Sequence, residues 1–451
     1  VNPEPTLAVD PARRQGSLLM LGLLALVAGA GAGFIGAIFR LSLEEADRFR
    51  NTLIARAHDH EPLGFLLITA GAAATVAFAA WLVRSLSPYA SGSGIPHVEA
   101  ALNEELPPAP PRLIAVKFFG GLLAIGSGLA LGREGPSVQM GAVIAHYVGK
   151  TAGRGWPDRR VLLAAGAGAG LAVAFNAPIA GAIFVLEELV ARFDTRIAIA
   201  ALGASTTAIL VARLFLGDAP DFQVATVAYS AAATWPLFVA LGAIAGIAAT
   251  LYNRTLLGAI SLARRLDRWP VELRAGAIGG AVGALAWFAP GLVGGGDQIT
   301  QRVLSGEAIL TVIPLAFLLR FALGVVSYAA TTPGGLFAPM LVLGAQLGFF
   351  FGAISRIAIP DLGIDPGAFA VVGMAAFFTG VVQAPVTGIV LVIEMTAAFT
   401  TLLPMLGASF AAMLVANLLH SAPIYESLRE RRHRQIKELT RTAGARSENN
   451  R

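Results

Sequence analysis

The chain has 451 residues, of which 56% are hydrophobic and 14% charged, against about 25% charged in soluble proteins, and its mean hydropathy is +0.70. So little polar surface cannot coat a water-soluble globule of this size, which makes the chain an integral membrane protein. The net charge of +5 does not point to nucleic acid, because the basic residues flank apolar runs, and the absence of cysteine excludes disulfides, thiolate metal sites and thiol catalysis.

In chain order, residues 1–16 form a polar segment that ends near Arg13 and Arg14 and has no signal-peptide pattern. The uncharged runs 17–39 and 64–83 each exceed the ~18 residues needed for a span. Between them His58 and His60 lie in a polar loop, with too few partners for a metal cage. Roughly ten to twelve hydrophobic segments are expected in all, by a ~19-residue window. A turn-rich stretch, 217–236, divides the chain nearly in half, giving expected halves at 17–216 and 217–428 and a basic tail at 429–451. Arg429, Arg431, Arg432, Arg434, Lys437 and Arg441 follow the last apolar run. The positive-inside rule then puts both termini in the cytosol, and the number of crossings is even.

The halves repeat. A shift of 207 residues lays Gly166 on Gly373, Ala177-Pro178 on Ala384-Pro385, Gly181 on Gly388, Val185 on Val392 and Glu187 on Glu394, so that both copies read A-P-x-x-G-x-x-x-V-x-E. A second block, shifted by 203, lays Gly132 on Gly335, Pro136 on Pro339 and Gly141-Ala142 on Gly344-Ala345. Duplicated halves in a membrane protein point to a transporter whose site lies where broken helices of the two halves meet.

Three segments carry the chemistry: Gly92-Ser93-Gly94-Ile95-Pro96, Gly132-Arg133-Glu134-Gly135-Pro136 and Gly334-Gly335-Leu336-Phe337-Ala338-Pro339. In each, Gly allows backbone a helix cannot adopt and Pro suits the first turn of the next helix, so each reads as a helix start. A helix starting inside a bilayer leaves N–H groups without intrahelical partners and a partial positive charge in low dielectric. Three such starts would cradle an anion on partial charges, tightly enough to replace hydration and loosely enough to release it. An acid placed there, Glu134, has the charge of the expected ligand and competes with it; protonation removes the competition. Packing kinks in a glycine-rich bundle are the alternative for any one segment alone, with 51 glycines in the chain.

Taken in order and followed by Tyr425 in Ala422-Pro423-Ile424-Tyr425, these motifs resemble the CLC family of chloride channels and chloride/proton exchangers, over about residues 17–428. The resemblance implies an all-α membrane fold of two inverted halves with tilted and broken helices, and a homodimer in which each subunit has its own anion pathway. It implies a chloride site made by the Ser93 hydroxyl, the Tyr425 phenol and the N–H groups of Leu336 and Phe337, next to the Arg133-Glu134-Gly135 helix start. Neutral donors of this kind bind an anion without trapping it. Ser93, where nitrate-preferring members have Pro, implies chloride. Glu134 takes the role of gate and proton carrier, and Glu188, the second acid of the pattern F-N-A-P-x-x-G-x-x-F-x-x-E-E, that of internal proton transfer. Glu187 and Glu394 are expected to be structural, accepting hydrogen bonds.

Lys117, Arg133 and Arg320 lie in or beside apolar sequence. Lys117 and Arg133 either raise the positive potential along the anion route, or snorkel or pair with Glu187 or Glu394, and these readings stay open. His97 departs from many prokaryotic relatives, which have an acid after G-S-G-I-P, and adds a group that titrates near neutrality. The expected function is chloride/proton antiport across the cell inner membrane, driven by ion gradients. No phosphate-binding loop is present, the stretch after Tyr425 is short for the family's nucleotide-binding modules, and no cofactor or nucleotide is implied. A passive chloride channel of the same fold is the nearest rival. A remote one is an intramembrane hydrolase using Ser93 with His97, which leaves the repeat unexplained. Fluoride exporters depart from the Ser93 motif.

Overall fold

The computed structural model describes residues 11–224, 232–266 and 268–433, with side chains from residue 18 onward. The predicted first 10 residues of the polar segment, and the part of the basic tail beyond residue 433, lie outside the described residues. Among those described, the only extended pairings are two isolated bridges, and the rest is helix and connection. In hydrocarbon every backbone N–H and C=O needs an internal partner, and helices supply it within one segment.

The first half runs through α1 (Pro11–Ala57), α2 (Leu63–Leu86), α3 (Ile95–Leu102), α4 (Arg112–Gly126), α5 (Glu134–Thr151), α6 (Trp156–Phe175), α7 (Pro178–Phe184) and α8 (Thr195–Leu216). The second runs through α9 (Trp235–Arg265), α10 (Val271–Phe288), α11 (Asp297–Leu304), α12 (Ile313–Ala329), α13 (Phe337–Ala358), α14 (Pro366–Val382), α15 (Pro385–Thr396) and α16 (Leu402–Leu418). Among the described residues, seven helical stretches are long and apolar enough to cross a membrane, and α12, α14 and α15 are apolar but shorter. The chain is a multi-pass membrane protein. His58 lies in a short exposed turn after α1, its ring stacked on Trp287 at 3.8 Å.

The duplication read from the sequence reappears as duplicated packing: α1 lies on α8 as α9 lies on α16, and α5 lies on α6 as α13 lies on α14. Glycine permits the second pair. A Cβ on Gly141 would sit 2.3 Å from the Gly166 carbonyl oxygen, and one on Gly344 would sit 2.5 Å from that of Gly373, so backbone meets backbone at matching positions of both halves.

The halves join reciprocally. Glu187, just beyond α7, accepts from Val386 N at 3.0 Å and from Thr387 N at 2.6 Å at the start of α15. Glu394, near the end of α15, accepts from Ile179 N at 3.1 Å and Ala180 N at 2.7 Å at the start of α7. Each carboxylate satisfies two N–H groups that have no intrahelical partner and meets the positive helix end. The end of each helix therefore faces the beginning of its counterpart: α7 and α15 are antiparallel, and the halves are inverted.

Helix breaks fall where the glycine-proline motifs predict. α3 begins after Gly94 at φ +86°, a conformation glycine adopts readily, α5 begins at Glu134, and α13 begins at Phe337. The loops before them are tied to one another. Gly132 and Gly335 exchange N–H···O bonds of 2.9 and 2.7 Å, Gly92 N donates to Thr332 O at 3.1 Å, and Gly334 N donates to Gly92 O at 3.2 Å. Non-helical backbone at membrane depth is thus paired inside protein.

Candidate functional site

The three helix starts come together. A Cβ on Gly135, in the first turn of α5, would lie 2.6 Å from both the main-chain oxygen and Oγ of Ser93, so the α5 and α3 starts touch where only hydrogen fits. The loop exchange between Gly132 and Gly335 brings the α13 start alongside. Glu134 is fully buried, and its Oε1 accepts from Phe337 N at 2.6 Å. A sequence-assigned anion donor is therefore held by the sequence-assigned gate. Glycines frame the carboxylate: a Cβ on Gly335 would be 2.1 Å from Oε1 and one on Gly132 would be 2.0 Å from Oε2.

Ser93 Oγ and Tyr425 Oη are both buried and interact with each other, and neither has a further hydrogen-bond partner within the protein. A pair of hydroxyls with no partner but each other leaves donor and acceptor capacity in a dry core that a ligand or water can complete. Tyr425 interacts electrostatically with both Glu134 and Glu188. Its ring lies 5.7 Å from that of Phe337, which packs on Phe378 at 4.7 Å and on Phe175 and Phe184 of the first half. Leu336 is buried and precedes α13. This aromatic collar positions α13's first residues from both halves.

Glu188 is separate from this cluster, in the π-helical turn Val185–Leu189 that follows α7. Glu99, Glu187, Glu426 and Arg429 are its charged surroundings, and Arg429 hydrogen-bonds Glu99. α5 leads from one region to the other face: Glu134 opens it, while beyond its far end Trp156 Nε1 donates to Glu104 at 2.8 Å, beside the Glu99–Arg429 pair at the end of α3.

Neither Lys117 nor Arg133 pairs with Glu187 or Glu394, whose carboxylates are taken by helix N–H groups. Lys117 is buried and its Nζ donates to the carbonyls of Ala90 and Gly92 at 3.0 and 2.7 Å, bracing the Ser93 loop from behind. Arg133 donates to Ala174 O at 2.8 Å, to Asp297 at 2.9 Å and to Asp221 at 3.1 Å, and Asp221 also receives Arg40 at 2.6 Å. Arg320 donates to the carbonyls of Leu292, Gly294 and Gly295, closing the turn before α11.

Sequence reasoning missed Asp221, Asp297 and Tyr328. Asp297 has a signal, following Gly294-Gly295-Gly296 at the start of α11, the counterpart of α3. Asp221 has none beyond its place in the linker. Tyr328 carries a hydroxyl 3.4 Å from Ser93 N. With Gly92 and Gly94 it lines a cavity of about 370 Å³ whose walls include Arg264, Arg274, Arg431 and Arg432, so a basic vestibule abuts the Ser93 loop.

Comparison with known proteins places this geometry. Residues 75–417 match the family model described as "Voltage gated chloride channel". The chain is 36% identical over 418 residues to the H(+)/Cl(-) exchange transporter ClcA of Vibrio parahaemolyticus, covering 91% of this chain and 89% of the relative. It is 38% identical over 420 residues to the ClcA exchange transporter of Vibrio cholerae, covering 90% and 88%. Among solved structures, a slow cyanobacterial Cl-/H+ antiporter superposes with a TM-score of 0.88 at 30% identity, covering 92% of this chain and 98% of the other. A eukaryotic CLC transporter, at TM-score 0.78 and 24% identity over 92% of this chain and 74% of the other, shares the fold. By its matched residues, its relatives and its inverted helical halves, the chain belongs to the voltage gated chloride channel (CLC) family.

Proposed function

We propose that the protein is a chloride/proton antiporter in which one anion position is contested by chloride and the Glu134 carboxylate. The observation that carries the reading is the Glu134 Oε1 contact with Phe337 N, because an ion needing that N–H must displace the carboxylate. In the proposed cycle, protonated Glu134 gives up its charge-assisted hydrogen bond, chloride takes the α13 start with help from Ser93, Tyr425 and Leu336 N, and the proton travels with the side chain. Glu188 passes protons to and from the face bearing Arg429. Gly135 leaves room for the ion beside Ser93. Arg133 and Lys117 supply positive potential while their own contacts keep them from binding the ion.

The relatives named above are exchange transporters, which favours exchange over a passive channel and transport over hydrolysis. We also assign a homodimer with one pathway per subunit, an inner-membrane location with both termini cytosolic, and a division of the halves at 216/217.

Reconstitution in liposomes with a chloride gradient, recording external pH, tests the cycle. The expected result is uphill proton movement that disappears in Glu134→Ala and in Glu188→Gln while chloride flux survives. Chloride flux without proton movement in the unaltered protein would sink the exchanger reading.

A further inference from the structure

The segment leading out of the first half is built like the one that brings Tyr425 to the anion site. Asn176 and Gln383, 207 residues apart, close α6 and α14 in the left-handed region at φ +49° and +64°, and each turns its side-chain amide on the segment that follows the last long helix of its half. Asn176 Nδ2 donates to Ala219 O at 2.9 Å, and Gln383 Nε2 donates to Ser421 O. Beyond these anchors Ala219-Pro220 and Ala422-Pro423 match at the 203 shift, a two-residue likeness too short to read without the structure. The same shift lays Phe222 on Tyr425 and Glu134 on Phe337. In the second half the segment sets Tyr425 against Phe337 at the start of α13, with the rings 5.7 Å apart. In the first it sets Asp221 against Arg133 at the start of α5, at 3.1 Å. Residues 219–223 form a strap: Phe222 N donates to Met395 O of α15 at 3.0 Å, and Gln223 exchanges hydrogen bonds of 3.0 and 2.8 Å with the Gln301 side chain of α11.

We propose that Asp221 is a positioning residue for the gate: the strap is the first half's counterpart of the Tyr425 segment, and through Asp221 it latches Arg133 and the α5 start on which Glu134 competes with the anion. Asp221 Oδ1 accepts from Arg40 of α1 at 2.6 Å while Oδ2 takes Arg133. The Asp221 side chain is only 3% exposed, against 48% for Asp297, the other carboxylate on Arg133. Water therefore screens Asp297 and barely screens Asp221, so the buried acid carries the electrostatic weight. With Ala174 O on Nε and a carboxylate on each terminal nitrogen, the Arg133 fork is fixed on three sides, and part of its charge is cancelled beside Glu134. The other charges nearby are few. Asp297, Asp221, Glu44 and Glu134 act on Arg133, Arg40 also bonds Glu44, and Asp47, paired with Arg50, senses Asp297 and Arg133. Tyr252 and Tyr425 face Glu134. Removing the Asp221 charge makes the potential at Glu134 more positive and favours the ionised carboxylate; removing the Arg40 charge does the opposite.

This role for Asp221 rests on Glu134 being the gate, and the two claims fail separately. Calorimetric chloride titrations of the full chain at several pH values test it, read as the pH midpoint at which binding tightens. Asp221→Asn keeps the shape of the side chain and loses its charge, and is expected to move that midpoint about half a unit to one unit to lower pH. Arg40→Gln is expected to move it by a similar amount to higher pH. A strap that only braced the fold would give shifts of one sign or none, because both substitutions break the same Arg40–Asp221 contact. Midpoints that do not separate, or that separate with the signs reversed, overturn the latch. Should Asp221→Asn not fold, Arg40→Gln decides against the parent, and a midpoint that does not rise overturns the latch. A Glu134→Gln protein that keeps the parent's pH dependence would instead sink the gate itself.

Discussion

Glu134 Oε1 holds the Phe337 N–H, and in the proposed cycle chloride needs the same donor, so one excludes the other. Since only the ionised carboxylate competes, chloride binding is expected to tighten as pH falls through the range where Glu134 takes up its proton. In Glu134→Gln that dependence should be flat; calorimetric titrations at several pH values check both. The framing glycines give a second handle on the same exchange. A Cβ on Gly335 would lie 2.1 Å from Glu134 Oε1 and 2.8 Å from Gly135 N, distances that nothing tolerates without movement. The carboxylate, as the end of a flexible side chain, gives way first. Gly335→Ala is therefore expected to reproduce Glu134→Ala: chloride uptake by liposomes continues and coupled proton movement falls away. Retained coupling in Gly335→Ala would mean that the gate does not depend on this contact.

At the scale of elements, short helices α7 and α15 depend on each other's acids. Glu187 accepts two N–H groups and the Thr387 hydroxyl, at 2.7 Å, from α15. Glu187→Ala leaves those N–H groups unsatisfied at a helix start. At about 1.5–3 kcal/mol for a hydrogen bond to a charged group, the loss should lower the temperature of thermal aggregation. Proton-to-chloride coupling in the surviving protein should be unchanged, which separates this residue from its neighbour Glu188. The sequence-level expectation of a structural Glu187 was legible because the same acid recurs 207 positions on as Glu394. What each acid caps was not, because the partners lie 199 to 215 residues away along the chain. The same holds for the Arg133 contacts to Asp221 and Asp297. A basic residue between glycine and an acid is visible in the sequence, but its two carboxylates come from the linker and from α11.

For the whole molecule, the surface carries large exposed apolar side chains on α1, α2, α8, α9 and α16, such as Leu19, Leu66, Leu214, Leu251 and Phe410. In a membrane protein these side chains face lipid or a second subunit. The proposed homodimer is expected to appear in light scattering of purified protein as twice the chain's 46.5 kDa, after subtraction of detergent. A monomer active in liposomes would remove the need for a partner, leaving the pathway within one subunit intact.

Membrane residence, duplication, the three helix starts and the acid among them were readable in the sequence, because each follows from local chemistry: apolar length, recurring Pro and Glu at fixed spacing, and glycine-proline breaks in hydrophobic runs. Inversion was not readable. A repeat looks the same in sequence whether its copies run parallel or antiparallel, and only the reciprocal capping of α7 and α15 decides. Tertiary structure likewise chose the partners of Arg133 and Lys117, brought Tyr328 to the Ser93 loop, and buried His97. Buried polar groups must find partners somewhere, and which partner is near is settled by how distant helices pack.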